Sequence, residues 1–259
     1  IAATKVPSHP DYATLAAITL IGVASSQATV LYSSDGSDAS GYTGGIAVIN
    51  TTPFNINGSS QGDYFDSSSY PFTTFTAVDA SAAGSQEMFV GFLLRRNNQS
   101  AWAGGILLGD GTDPAGLAGW HSNANTVTLY NGNEGGAAAG GFSLAADTDI
   151  AVMARYYENG TSGVFDRADL YIDSDLSDGV DFSTALISGY DASAGANALI
   201  NRLRLNADPA GSGEHRYYDN VVISTTQQEA ANFVSGVPEP SSAALLGLGG
   251  LALILRRRK

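Results

Sequence analysis

Val164-Phe165-Asp166-Arg167-Ala168-Asp169-Leu170-Tyr171-Ile172 is the stretch that decides the fold. In an extended chain Val164, Ala168, Leu170 and Ile172 fall on one side, and Arg167, Asp169 and Tyr171 on the other. A period of two belongs to a β-strand with one face in a core and one in water. Residues 88–94, Met-Phe-Val-Gly-Phe-Leu-Leu, are apolar on both sides except at Gly91, as in a central strand covered on both faces. Further runs of strand character occupy 29–32, 72–78, 102–108, 126–130, 150–157, 199–205 and 217–224, separated by clusters of Gly, Asn and Asp. Many short strands with no helical period between them predict an all-β, antiparallel β-sandwich over residues 29–226. A helix of about two turns is expected at 227–234, QQEAANFV, ahead of Ser235 and Gly236.

The 259-residue chain has a formal net charge of −13, and its ends conceal how acidic the middle is. Lys5 and Arg256-Arg257-Arg258-Lys259 hold five of the 12 basic residues; residues 29–236 carry seven arginines, no lysine and 23 acidic residues, a formal charge of −16. Such a field repels phosphate backbones and argues against nucleic acid as a partner. With no cysteine there is no disulfide, thiolate metal site or cysteine nucleophile. A body of about 200 residues buries roughly 70% of its unfolded surface, enough to fold without such staples.

Both ends read as addresses. Residues 12–24, YATLAAITLIGVA, form an uncharged apolar core of signal-peptide shape, a signal helix, and the small residues Ser26 and Ala28 place the cut before Thr29. At the other end Val237-Pro238-Glu239-Pro240 precedes Ser241 and Ser242, an apolar run over 243–255 and the terminal cations. The prolines deny a helix its amide donors and keep the segment extended for capture in a peptidase cleft. As a helix the apolar run reaches about 20 Å against a hydrocarbon core of about 30 Å, a short C-terminal transmembrane helix further weakened by glycine. The terminal cations hold that end on the cytoplasmic side and leave the body outside.

The box, the glycine-rich apolar run and the basic terminus together resemble the PEP-CTERM sorting signal of Gram-negative bacteria. The resemblance implies an exosortase-type membrane peptidase as partner, with Val237, Pro238, Glu239, Pro240, Arg256, Arg257 and Arg258 as recognition residues. It also implies transient inner-membrane anchoring, followed by passage to the cell envelope, outer surface or extracellular matrix. The segments Arg155-Tyr156-Tyr157, Ala168-Asp169-Leu170-Tyr171-Ile172-Asp173 and Tyr218-Asp219-Asn220-Val221-Val222-Ile223 resemble the concanavalin A-like lectin/glucanase superfamily with its laminin-G-like members, which implies a jelly roll. The expected order is a signal peptide over 1–28, a jelly-roll sandwich over 29–226, a short helix and linker over 227–236 and the sorting signal over 237–259.

Glycosidases on this fold need paired carboxylates, which laminarinase-like members place as Glu-x-Asp-x-Glu on one strand. No such run exists here, and Asp147 and Asp149, at the right spacing, read as residues of a turn and the start of a strand. No serine sits in a nucleophile elbow and no His pair has zinc spacing, so the expectation is a non-enzymatic protein. Asp173, Asp175, Asp178 and Asp181 set oxygens around Gly179; a Ca²⁺ cradle and an Asx-rich turn are the two readings of that loop. For carbohydrate, aromatic faces and hydroxyl-binding groups are wanted: Trp102, Trp120, His121, Arg202 and Arg204 are the candidates, beside Tyr130 and Asn131. Core packing is the competing role for the tryptophans, and a wet strand face for the arginines, which alternate with Leu203 and Leu205. The function expected is an exported envelope or matrix protein that binds extracellular polysaccharide or acts in adhesion. The alternatives are a polysaccharide-cleaving enzyme of the same fold and a purely structural surface protein.

Overall fold

A computed structural model describes residues 29–38, 40–43, 46–49, 54–56, 59–60, 64–67, 71–82, 86–96, 103–110, 114–121, 125–131, 135–159, 163–192, 198–207 and 216–236. The expected signal segment over 1–28 and the sorting tail over 237–259 lie outside these residues. The strands are β1 (Val30–Ser34), β2 (Ile46–Ile49), β3 (Asn55–Ile56), β4 (Ser59–Ser60), β5 (Tyr64–Ser67), β6 (Phe72–Asp79), β7 (Glu87–Arg96), β8 (Ala103–Gly109) and β9 (Pro114–His121). They continue with β10 (Thr126–Asn131), β11 (Gly135–Ala137), β12 (Phe142–Ser143), β13 (Asp149–Tyr157), β14 (Arg167–Asp173), β15 (Ile187–Asp191), β16 (Leu199–Ala207) and β17 (Arg216–Ser224), and helix α1 (Gln227–Val234) follows.

Two antiparallel sheets face each other, as the alternation predicts. One runs β15-β14-β13-β7-β17-β5-β2, with β1 also on β17; the other runs β11-β10-β9-β8-β16-β6, with β12 on β10. β8, β9 and β10 form a meander and β16 returns beside β8, a Greek-key order. The chain passes from sheet to sheet at β6, β7 and β8, as a jelly roll requires. Between the sheets lie Val90, Phe92 and Leu94 of β7, Val152 and Tyr156 of β13, and Tyr218 of β17, against Ile106, Trp120, Leu129 and Leu203. Tyr218 is a strut: its ring is fully buried, and its hydroxyl accepts the Gly105 N–H of the opposite sheet at 2.9 Å. Burial pushes the Tyr218 phenol far above its ordinary pKa, which keeps it neutral.

β7 is covered on both faces, as residues 88–94 predict. Met88, Val90, Phe92 and Leu94 enter the inter-sheet core, while Phe89 and Leu93 join a second core on the outer side with Met153, Val222 and Ala230 and Val234 of α1. Gly91 is where the helix docks: a Cβ there would come 2.7 Å from Val234 Cγ2 and 3.2 Å from Val222 Cγ1. α1 occupies the residues expected of it, capped at both ends. Thr226 Oγ1 accepts the Glu229 N–H, the Ser224 hydroxyl donates to the Glu229 carboxylate at 2.7 Å, and Asn220 Nδ2 donates to the Val234 carbonyl at 3.0 Å. Asn220 reaches that carbonyl from a bulge in β17, where its φ is 48°. The bulge divides the strand: Arg216, Tyr217 and Tyr218 pair with β5, and Val221 to Ser224 with β1.

The deciding stretch holds one correction. Its strand starts at Arg167 rather than Val164, with Phe165 turned into the core ahead of it. Ala168 and Leu170 face the inter-sheet core as expected, but the opposite face is not wet. Asp169 and Tyr171 are buried there, because the chain after β14 folds back and lays Leu176 and Phe182 over that side. No helix among the described residues is long and apolar enough to cross a membrane.

Gly91→Val puts two methyl groups where Val234 already packs, and overpacking of this kind costs about 1–3 kcal/mol. Urea unfolding of the variant should therefore show a lower midpoint at an unchanged m-value. An unchanged midpoint would mean that α1 does not rest on this strand.

Candidate functional site

Of the ligand candidates, Arg202 and Arg204 come from β16, whose Leu203 and Leu205 point into the sandwich and so turn both arginines to the outer face. Strand register continues that face across the sheet, since Arg204 stands opposite Phe72 on β6 and Leu107 on β8, Leu107 opposite Leu117, and Leu117 opposite Tyr130. The Arg202 guanidinium lies 3.7 Å from the centroid of the Phe72 ring, a cation–π contact with both side chains half-buried. Leu107, Leu117 and Tyr130 are buried as a cluster, so the open part of the row is its arginine and phenylalanine end.

Trp120 does not join this group. Trp120 points into the sandwich with 1% exposure, its indole against Gly104 at a place no Cβ could share. It fills core, the competing role considered for it. His121 ends β9, and Trp102 lies outside the described residues.

In the acidic loop the carboxylates serve their own backbone. Asp173 accepts the N–H groups of Asp175 at 2.9 Å and Asp181 at 2.7 Å, Asp175 accepts the Ser177 N–H and hydroxyl, and Asp181 those of Ser183. These hydrogen bonds hold the Asp175 and Asp181 carboxyls below their ordinary pKa. Asp175, Asp178 and Asp181 are exposed, while Leu176 and Phe182, each next to one of them, point down onto the sheet. Among the described residues no group of three or more His, Asp or Glu is arranged to hold a metal ion. The geometry is that of Asx turns which clamp a covering loop.

Among the described residues stands a polar cluster that the sequence does not advertise. On the outer face of the first sheet, Arg155 of β13 grips Glu87 of β7 through Nε and Nη2, each at 2.7 Å, and reaches Asp169 of β14 at 3.2 Å. The same Asp169 accepts the Gly189 N–H at 2.7 Å and the Tyr157 hydroxyl at 3.3 Å. The guanidinium lies 4.4 Å from the Tyr157 ring centroid, and its carboxylate neighbours, outweighing burial, raise its pKa further. Both carboxylates are engaged, so the cluster ties three strands in register. Its partners are 68 and 14 residues apart, a separation at which pairing leaves no local signal.

Asp147 and Asp149 form the turn and strand start expected of them. Asp147, at φ 56°, donates its N–H to the Arg96 carbonyl, and Asp149 meets Arg95 Nε at 3.4 Å. Burial raises the Asp149 pKa; Arg95 lowers it and Asp147 raises it to lesser extents. The two line a shallow cleft of about 550 Å³ with Asp175 and Ser177.

Residues 236–259 match the PEP-CTERM protein-sorting motif. The chain carries an export-and-sorting tail. The match begins at Gly236, two residues past the end of α1. A tail of this kind marks an exported protein handled by a membrane-associated exosortase system. No curated protein shows significant sequence similarity to the chain. Among solved structures, peanut lectin with a nine-residue peptide overlaps it with a TM-score of 0.45 at 10% identity, covering 77% of this chain and 98% of the lectin. A carbohydrate-binding module from Bacillus subtilis gives 0.39 at 13%, covering 71% and 94%. A carbohydrate esterase from Shiga toxin-encoding bacteriophage phi24B gives 0.46 at 13%, covering 77% and 100%. At these values no ligand or activity transfers to this chain; the sandwich rests on the strand pairing described above.

Arg155→Met keeps the apolar stem and removes the cation, which leaves the mostly buried Asp169 without its ionic partner. The loss expected is about 2 kcal/mol, read as a lower urea midpoint. An unchanged midpoint would show that the cluster is surface decoration.

Proposed function

We propose that this is an exported, non-enzymatic β-sandwich protein, matured by an exosortase-type membrane peptidase, whose body acts at the cell surface or in the extracellular matrix by binding carbohydrate. The observation that carries the proposal is the sorting motif over 236–259, attached directly to a helix that closes the body. Binding is supported by the outer face of the second sheet. There Phe72, one face of which the Arg202 guanidinium covers, stands opposite Arg204, and the two arginines carry fork-shaped groups of the kind that sugar hydroxyls take. The absence of chemistry is supported by the carboxylates of Glu87, Asp169, Asp173 and Asp181, which are engaged by arginine or by backbone amides. One observation favours a second reading, a polysaccharide-cleaving enzyme: Asp149 is a carboxyl of raised pKa in an open cleft, the property of a general acid.

In a host with an active exosortase the mature protein should lack residues beyond 240, and replacing Pro238, Glu239 and Pro240 together by Ala should leave the tail attached, as read by mass spectrometry. The matured protein should bind on a glycan array without releasing reducing ends, and the double variant Arg202→Ala, Arg204→Ala should lose about tenfold or more in affinity, the scale set by losing two charged hydrogen bonds. Release of reducing ends that disappears in Asp149→Asn would instead establish the enzyme.

A further inference from the structure

The end of α1 leaves the tail little reach. Hydrogen bonds fix the helix end through Gly236: the Val234 carbonyl is held by Asn220, the Ser235 N–H donates to the Ala231 carbonyl, and the Gly236 N–H to that of Phe233. Between Gly236 and the apolar run over 243–255 there are six residues, 237–242. Fully extended they span about 21 Å, and with two prolines nearer 19 Å. The headgroup layer takes about 6 Å of that. While the apolar run is in the bilayer, the end of α1 therefore sits within about 15 Å of the membrane surface. A body of about 200 residues has a radius of gyration near 17 Å, larger than the gap.

We infer that docked α1 acts as a spacer that presses one pole of the body toward the membrane, so that the processing peptidase must reach the Pro-Glu-Pro box beneath that pole. The inference rests on the proposed processing and adds how access to the box is governed. The pole is the surface around Phe233, formed with β1 and the turn after it: Tyr32, Ser34, Asp35, Asp38 and Gly41 line a groove there of about 400 Å³. Asp35 and Asp38 are held as anions by hydrogen bonds from Ser37 and Ser40, which lower both carboxyl pKa values. No lysine occurs in the body, and all seven of its arginines, Arg95, Arg96, Arg155, Arg167, Arg202, Arg204 and Arg216, lie on strands rather than in its loops. The face turned to the peptidase thus carries the Asp35 and Asp38 anions beside Tyr32 and Phe233, and the partner surface it fits is a cationic rim of a membrane enzyme.

The spacing is tested in the full chain. Insertion of twelve Gly/Ser residues between Gly236 and Val237 frees the body while keeping the distance from the box to the bilayer. A matched insertion between Ala139 and Gly140, both exposed and with open space around Gly140, controls for length. Pulse-chase in a host with its exosortase should show the tail insertion shortening the half-time of tail loss by about tenfold, the gain expected when the cleavable arrangement is populated about one part in ten. The turn insertion should mature at the native rate. Native-rate or slower maturation of the tail insertion overturns the spacer, whereas retention of the tail in the unmodified chain overturns the processing itself.

Discussion

β7 has no solvent face, and the rest of the body follows from that. A strand buried on both sides must find an opposing sheet for one face and a separate cover for the other. The second sheet supplies the first through Ile106, Leu108 and Leu203, with the Tyr218 hydroxyl fixed to the Gly105 N–H across the gap. α1 and the loop bearing Leu176 and Phe182 supply the second. Each Leu, Ile or Phe fully buried in this way contributes about 1.5–3 kcal/mol, so removing either cover would expose a residue group worth more than the margin by which domains are usually stable.

The two covers separate two tasks. α1 lies on the outer side of the first sheet, and the Arg202, Arg204 and Phe72 face on the outer side of the second, with the main core between them. The N-terminal strand is tied into the same closure: β1 pairs with β17, and Thr29 and Thr225 exchange hydrogen bonds one residue before the Thr226 cap. Both ends of the body are thereby fastened to β17, which lies beside β7.

Much of this was legible in the sequence because period and composition are local. The double-sided apolar run of β7, the inward Leu203 and Leu205, and the eight residues of α1 needed no partner to be recognised. What stayed hidden depended on distant neighbours. β9, Pro-Ala-Gly-Leu-Ala-Gly-Trp-His, reads as a broken loop, yet Gly116 is there because the Tyr156 ring crosses the sandwich to within 2.9 Å of where its Cβ would stand. The polar side of β14 reads as wet because nothing in Asp169 or Tyr171 announces the loop that covers them. Trp120 faces the core, and only packing decides it, because the glycines and alanines around it in β9 mark neither face. The acidic loop carried two readings in its letters, and its own backbone amides hold the carboxylates that a cation would have needed.

α1 is part of the body rather than the first turn of the tail. Native-state hydrogen exchange on the full chain tests this directly, because a helix that completes the cover of β7 opens only when the body opens. The amides of residues 231–235 should then exchange with the same free energy and denaturant dependence as those of β7 and β17. Exchange of these amides through a low-energy local opening, with β7 still protected, would contradict it.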